Sequence, residues 1–186
     1  MAISDKDRET LLGLARATIA SSVGGVEIPR FDLKGPEMRQ IRGVFVTLHK
    51  NGRLRGCIGH FDPCDPLYQS VMDMAVAAAT QDRRFDMVTM EELPDIDIEI
   101  SVLSPLRKIT DVEEIEIGKH GIYMTKGRIR GVLLPQVAVE QGYNREEFLN
   151  ATCEKAGLSP TRWKDGSVEI EIFDAEIFSE KDRVLS

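Results

Sequence analysis

The stretch "NGRLRGCIGH" from Asn51 to His60 gathers the residue types that can do chemistry. It holds the turn pair Asn51-Gly52 and, directly after it, two arginines, a cysteine and two more glycines. Side chains on a strand alternate between faces, so Arg55 and Cys57 are expected on one face and Leu54 and Ile58 on the core face. A guanidinium beside a thiol favours the thiolate and makes the sulfur a better nucleophile. Gly56 and Gly59 would let a backbone or a ligand approach closely. Free cysteine is commonly a small buried hydrophobe, and spacing alone favours that plainer reading of Cys57. A metal alternative also exists, because Cys57, His60 and Cys64 stand as Cys-x2-His-x3-Cys. Structural zinc needs a fourth ligand, which would have to be His49, His120 or Cys153, and the usual Cys-x2-Cys pair is missing. Other charged candidates lie at element ends in "QDRRF" (Asp82, Arg84) and "GKHGI" (His120). The chain has no phosphate-cradling glycine loop, nucleophile elbow or His-Glu-x-x-His pattern.

The elements that must position these residues follow from periodicity. Ser4 is a helix cap with Asp7 as its partner, and Leu12, Ala15 and Ile19 recur at helical spacing up to Gly24-Gly25. Residues 25–40 carry two prolines and no clear period, as a loop does. "GVFVTLHK" and "RLRGCIG" flank Asn51-Gly52, the strongest short-range hairpin signal. Pro66 is expected at the first position of a helix with an inner stripe of Leu67, Val71, Met74 and Ala78. In "DIDIEISV" the apolar Ile96, Ile98, Ile100 and Val102 alternate with acidic residues, as in a strand with one solvated face. The second half repeats this order: "GIYMT", a turn at Lys126-Gly127, "RIRGVLLP", a helix near Pro135, a second helix capped by Asn144 and Glu147 and stopped by Gly157, and a closing strand "SVEIEIFDAEIF".

The halves also match in residues. "NGRLRGCIG" lies over "KGRIRGVLL", and Arg130 stands where Arg55 stands. The fold class is therefore α+β, with an N-terminal helix and two lobes built from a duplicated hairpin–helix–strand unit, approximately residues 41–104 and 119–178. Val132 stands where Cys57 stands, so the hairpin architecture does not require the cysteine. Two facing lobes would bring Arg130 toward the same cleft as Arg55 and make that cleft positive.

A hydrophobic content of 42% with 30% charged residues describes a soluble globular chain, and the longest apolar run, "MAVAAA", is too short to span a bilayer. The charged start "MAISDKDRE" lacks the apolar centre of a signal peptide, so a cytoplasmic location with reduced cysteines is expected. A net charge of −7 and 6% aromatic residues rank RNA recognition last among the functions weighed.

"LRGCIG" (Leu54–Gly59) resembles the hallmark of the AMMECR domain, called AmmeMemoRadiSam system protein A in prokaryotes. The resemblance runs nearly end to end: "GVFVTL", Pro66-Leu67, "DRRF" at Asp82, Arg84 and Phe85, "IEISVLSP", "GKHGI", "LLPQVA" with Pro135 and Gln136, and "FLNATCEKAGL" with Trp163 beyond. It implies a two-lobed α+β fold with the hallmark lining a cleft between the lobes. It also implies two partners, a Memo-like protein and a radical S-adenosylmethionine protein. No established reaction comes with it. His60 and Cys64 lie outside the family pattern, which weakens the zinc alternative, while the matching cysteine adds weight to a functional Cys57. No metal or cofactor is expected. The favoured reading is an accessory or substrate-binding component whose Arg/Cys-lined cleft holds an anionic or nucleotide-like ligand. Arg55, Gly56, Gly59, Arg84, His120 and Gln136 are its expected lining. The alternative is an enzyme with Cys57 as a thiolate nucleophile and Arg55 as its charge partner. The binding role is preferred because no general base is visible beside Cys57.

Overall fold

The computed structural model describes residues 2–61 and 64–185. It divides into two compact units. One takes the chain as far as Leu103 and again from Glu176; the other is Ser104–Ala175.

In the first unit, helix α1 spans Asp5–Gly24. The Ser4 hydroxyl accepts from the Asp7 N–H at 3.2 Å, and Gly25 closes the helix at φ 68°, a left-handed conformation suited to glycine. Leu11, Leu12, Ala15 and Ile19 form its buried stripe. Strands β1 (Val44–Lys50) and β2 (Arg53–His60) make the expected hairpin. Asn51 and Gly52 both take positive φ (51° and 76°), the geometry whose twist matches paired strands. Helix α2 spans Leu67–Thr80, with Pro66 in the capping position, one residue earlier than the sequence suggests. Strand β3 (Ile96–Leu103) pairs antiparallel with β1, which is therefore central between β2 and β3. Val44, Val46 and Leu48 of β1 meet Ile98, Ile100 and Val102 of β3 in the core beneath α1 and α2. Asp97 and Glu99, expected on a solvated face, are half-buried. Arg16 of α1 donates to both oxygens of Glu180 and to the Leu93 and Ile96 carbonyls, while Glu180 accepts from the Ile98 N–H. This clasp ties the end of the chain to the sheet.

The second unit contains β4 (Arg107–Ile109), β5 (His120–Lys126), β6 (Ile129–Leu133), α3 (Pro135–Gln141), α4 (Arg145–Lys155) and most of β7 (Glu169–Ser179). Strand β5 is central between β6 and β7, and β4 pairs with β7. Asn144 and Glu147 form the full reciprocal capping box of α4. Its core joins Ile122, Met124, Ile170 and Ile172 to Phe148, Leu149 and Cys153 of α4. The three-residue β4 carries no period of its own in the sequence. The fold is α+β with an N-terminal helix. Each unit holds a hairpin, a helical segment and a strand returning antiparallel to the hairpin's first strand.

Candidate functional site

The hallmark stretch is shaped by its neighbours. A Cβ at Gly56 would lie 2.3 Å from the Ala78 carbonyl oxygen, so α2 packs its backbone directly onto β2. A Cβ at Gly59 would lie 2.2 Å from the ring of Phe45, its cross-strand partner, and that ring meets Phe61 edge-on at 5.2 Å. The two glycines thus admit a helix and an aromatic ring of this same chain.

Between them the pairing slips. Leu48 pairs with Gly56 and His49 with Leu54, leaving Arg55 as the extra residue of a bulge. Strict alternation fails here. Leu54 stands across from His49 and is 41% exposed, whereas Ile58 stands across from buried Val46 and packs on the core. Leu54 and Ile58 therefore do not share a core face as expected. Nor does Arg55 act as charge partner of Cys57. Its guanidinium donates through Nε (3.2 Å) and Nη2 (2.9 Å) to Glu92, and through Nη1 to the Asp86 carbonyl at 2.8 Å. Lys50 adds a contact of 2.9 Å to Glu92. With Arg55 and then Lys50 bonded to it, the Glu92 carboxyl is lowered to about 2. This cluster straps the loop after α2 to the hairpin.

The guanidinium that acts on Cys57 is that of Arg84, with the Asp82 and Glu99 carboxylates opposing it. The Cys57 N–H donates to the Asp82 carboxylate at 2.9 Å. Asp82 is buried at the end of α2 and also receives the Arg84 N–H (3.2 Å), Nε (2.9 Å) and Nη2 (2.7 Å). The Arg84 guanidinium holds this carboxyl well below its ordinary range. Arg84 itself stays 55% exposed and sits 5.5 Å from the centre of the Phe85 ring. Cys57 accepts a hydrogen bond from the Thr47 hydroxyl at 3.2 Å. Burial pushes its thiol pKa up; the Thr47 bond and Arg84 oppose the shift without cancelling it. The neutral thiol is the favoured form near neutral pH.

Around these residues lies an open recess of about 490 Å³, lined by Arg55, Arg83, Arg84, Phe85, Asp86 and Glu92. Arg83 is exposed and has no hydrogen-bonded or ion-pair partner among the described residues. Three guanidinium groups converge here, two of them fixed by carboxylates and one open. Guanidinium forks match the geometry of carboxylate and phosphate oxygens. Cys57 is not part of the lining.

His120 and Gln136 belong to the second unit. His120 is buried at the start of β5; its Nδ1 accepts from the Glu116 N–H at 3.1 Å and its Nε2 lies 3.6 Å from Asp174. Gln136 is half-buried in the first turn of α3. Arg130 donates to the Tyr123 hydroxyl at 3.0 Å. Cys57, His60 and Cys64 do not form a metal-type cluster, and none of three or more His, Cys, Asp or Glu occurs among the described residues. The recess adds Arg83, Phe85 and Glu92 to the lining expected from the sequence. "QDRRF" held the first two in plain view, while nothing local marks Glu92 as the partner of Arg55.

An α+β chain with a bulged arginine strand and an arginine-lined recess is the class of protein that the fold and site define. The AMMECR1 family model matches residues 12–178, and the chain belongs to that family. A protein of Methanothermobacter thermautotrophicus is 44% identical over 186 residues, covering 96% of each chain. One of Pyrococcus furiosus is 42% identical, covering 96% of this chain and 90% of its own. The crystal structure of the uncharacterized protein PH0010 from Pyrococcus horikoshii matches with a TM-score of 0.84 at 40% identity, over 92% of this chain and 90% of that one. Among the described residues no helix is long and apolar enough to cross a membrane.

Proposed function

We propose that this AMMECR1-family protein is a cytoplasmic accessory or substrate-binding component that acts with a Memo-like protein and a radical S-adenosylmethionine protein. The Arg83–Arg84 recess takes its anionic or nucleotide-like ligand. The partners follow from the family resemblance. The ligand class is carried by one observation: an open guanidinium, Arg83, stands beside two others already oriented by Asp82 and Glu92. Oriented donors lose little freedom on binding, and that favours a preformed anion site. Arg84 and Arg83 offer the ligand contacts, Phe85 offers a ring face, and Arg55 holds the loop in place.

The competing reading is an enzyme with Cys57 as nucleophile. A thiol raised by burial and outside the recess lining is a poorer nucleophile than a thiolate held by arginine, so the binding role is preferred. The shared element order and the glycines under α2 and α4 (Gly56 and Gly131) also support an origin by duplication. Superposing residues 44–104 on 121–178 should then align both hairpins and their return strands.

The test is a thermal melt with inorganic pyrophosphate. The wild-type protein should gain stability saturably, and an Arg83→Ala/Arg84→Ala variant should gain none. Equal behaviour of the two proteins sinks the recess as an anion site. Native mass spectrometry of the purified protein should show a retained anionic small molecule that this variant loses.

A further inference from the structure

The second unit holds a larger hollow, about 690 Å³, which falls within the size range of small-ligand sites. Its walls are the β4 edge, the β5–β6 turn and the loop leading into β7. Trp163, the chain's one tryptophan, is half-buried in that wall. Its indole N–H donates to Asn150 at 2.8 Å, which fixes the ring plane. The Lys164 ammonium lies 5.2 Å from the ring centre, so the anchored indole already carries a cation, and a ligand ring would pack on the indole surface beside it.

Three ammonium groups, Lys108, Lys126 and Lys164, line the hollow together with the carboxylates of Asp111 and Glu169. Lys108 and Lys164 each reach a carboxylate, Glu169 at 2.7 Å and Glu146 at 2.6 Å. Lys126 differs. Its ammonium bonds the neutral Ser167 hydroxyl at 2.6 Å, and among the described residues no carboxylate lies within ion-pair distance of it. The nearby Asp165 is engaged by the Ser167 N–H at 2.8 Å and by Arg162 at 3.1 Å. An ammonium carries three donors, so two remain for a ligand. The hollow therefore offers a fixed indole, an ammonium held by a hydroxyl, and a flanking Lys108.

We propose that this hollow is a binding site, separate from the arginine recess, for a small ligand that joins an aromatic ring to an anionic group. The ring packs on Trp163 and the anion is taken by Lys126. Neither half alone satisfies the site: a bare anion leaves the indole wet, and a neutral ring leaves Lys126 without its counter-ion.

Because Trp163 is the chain's only indole and lines this hollow, its fluorescence reports binding here. The titrants are adenosine 5′-monophosphate and phenyl phosphate. Both should change the emission saturably, while adenosine and inorganic phosphate each bind at least about tenfold more weakly. Lys126→Ala should weaken the two titrants about tenfold, Lys126→Arg should keep them, and Arg83→Ala/Arg84→Ala should leave the titration unchanged. The proposal is overturned if neither titrant gives a saturable change up to about 10 mM. It is equally overturned if Lys126→Ala binds like wild type, or if the double arginine variant abolishes the signal.

Discussion

A Gly56→Ala substitution places a methyl carbon 2.3 Å from the Ala78 carbonyl oxygen and 3.2 Å from its carbon. The obstacle is helix backbone, which cannot turn aside as a side-chain end does. Either α2 lifts from β2 or the bulged strand bends away. Overpacking of a tight core costs about 1–3 kcal/mol, and a contact this short against backbone belongs at about 3 kcal/mol. For a chain of this size that corresponds to a melting temperature lower by roughly 6–12 °C. Gly52→Ala is the control. Nothing lies within 4 Å of its Cβ, but φ is 76°, so its cost is conformational, about 1 kcal/mol. Thermal and urea melts followed by far-UV circular dichroism should rank wild type above Gly52→Ala, and Gly52→Ala above Gly56→Ala. Lifting α2 also strains the Cys57 N–H bond to Asp82, so Gly56→Ala should speed alkylation of Cys57. If Gly56→Ala melts at or above Gly52→Ala, helix approach is not why glycine stands there.

Glu92 is lowered to about 2 from an ordinary 4.5, so its contribution to stability is complete above about pH 4.5 and fades as pH falls toward 2. Arg55→Ala should flatten the loss of unfolding free energy across that window, and an unchanged slope would show that Arg55 does not hold Glu92. Asp82→Asn removes a charged acceptor of four N–H contacts and should cost about 2 kcal/mol in urea denaturation; a neutral outcome would mean the Cys57 N–H finds another partner. Iodoacetamide mapping near pH 7 should label exposed Cys64 first, Cys57 more slowly and buried Cys153 last. Labelling of Cys57 ahead of Cys64 would revive the nucleophile reading.

Local signals in the sequence determined most of the elements. Capping residues, the Asn51-Gly52 turn and the alternation of Ile96, Ile98, Ile100 and Val102 act through neighbours a few residues away, so they are visible in one dimension. The hallmark stretch was visible too, but not what each residue does there. The bulge at Arg55 depends on how β1 pairs with β2, and it moves Leu54 off the core face that alternation assigns it. Glu92 lies 37 residues from Arg55 and Asp82 lies 25 from Cys57, distances that only the packing of α2 and its following loop closes. Burial likewise sets the Cys57 thiol, and the sequence does not encode burial residue by residue. What the chain determined by itself is the order of hairpins, helices and strands, because those obey short-range periodicity. Which guanidinium stands beside the thiol was decided in three dimensions, because charge pairing is settled by whichever groups the packed elements leave within reach.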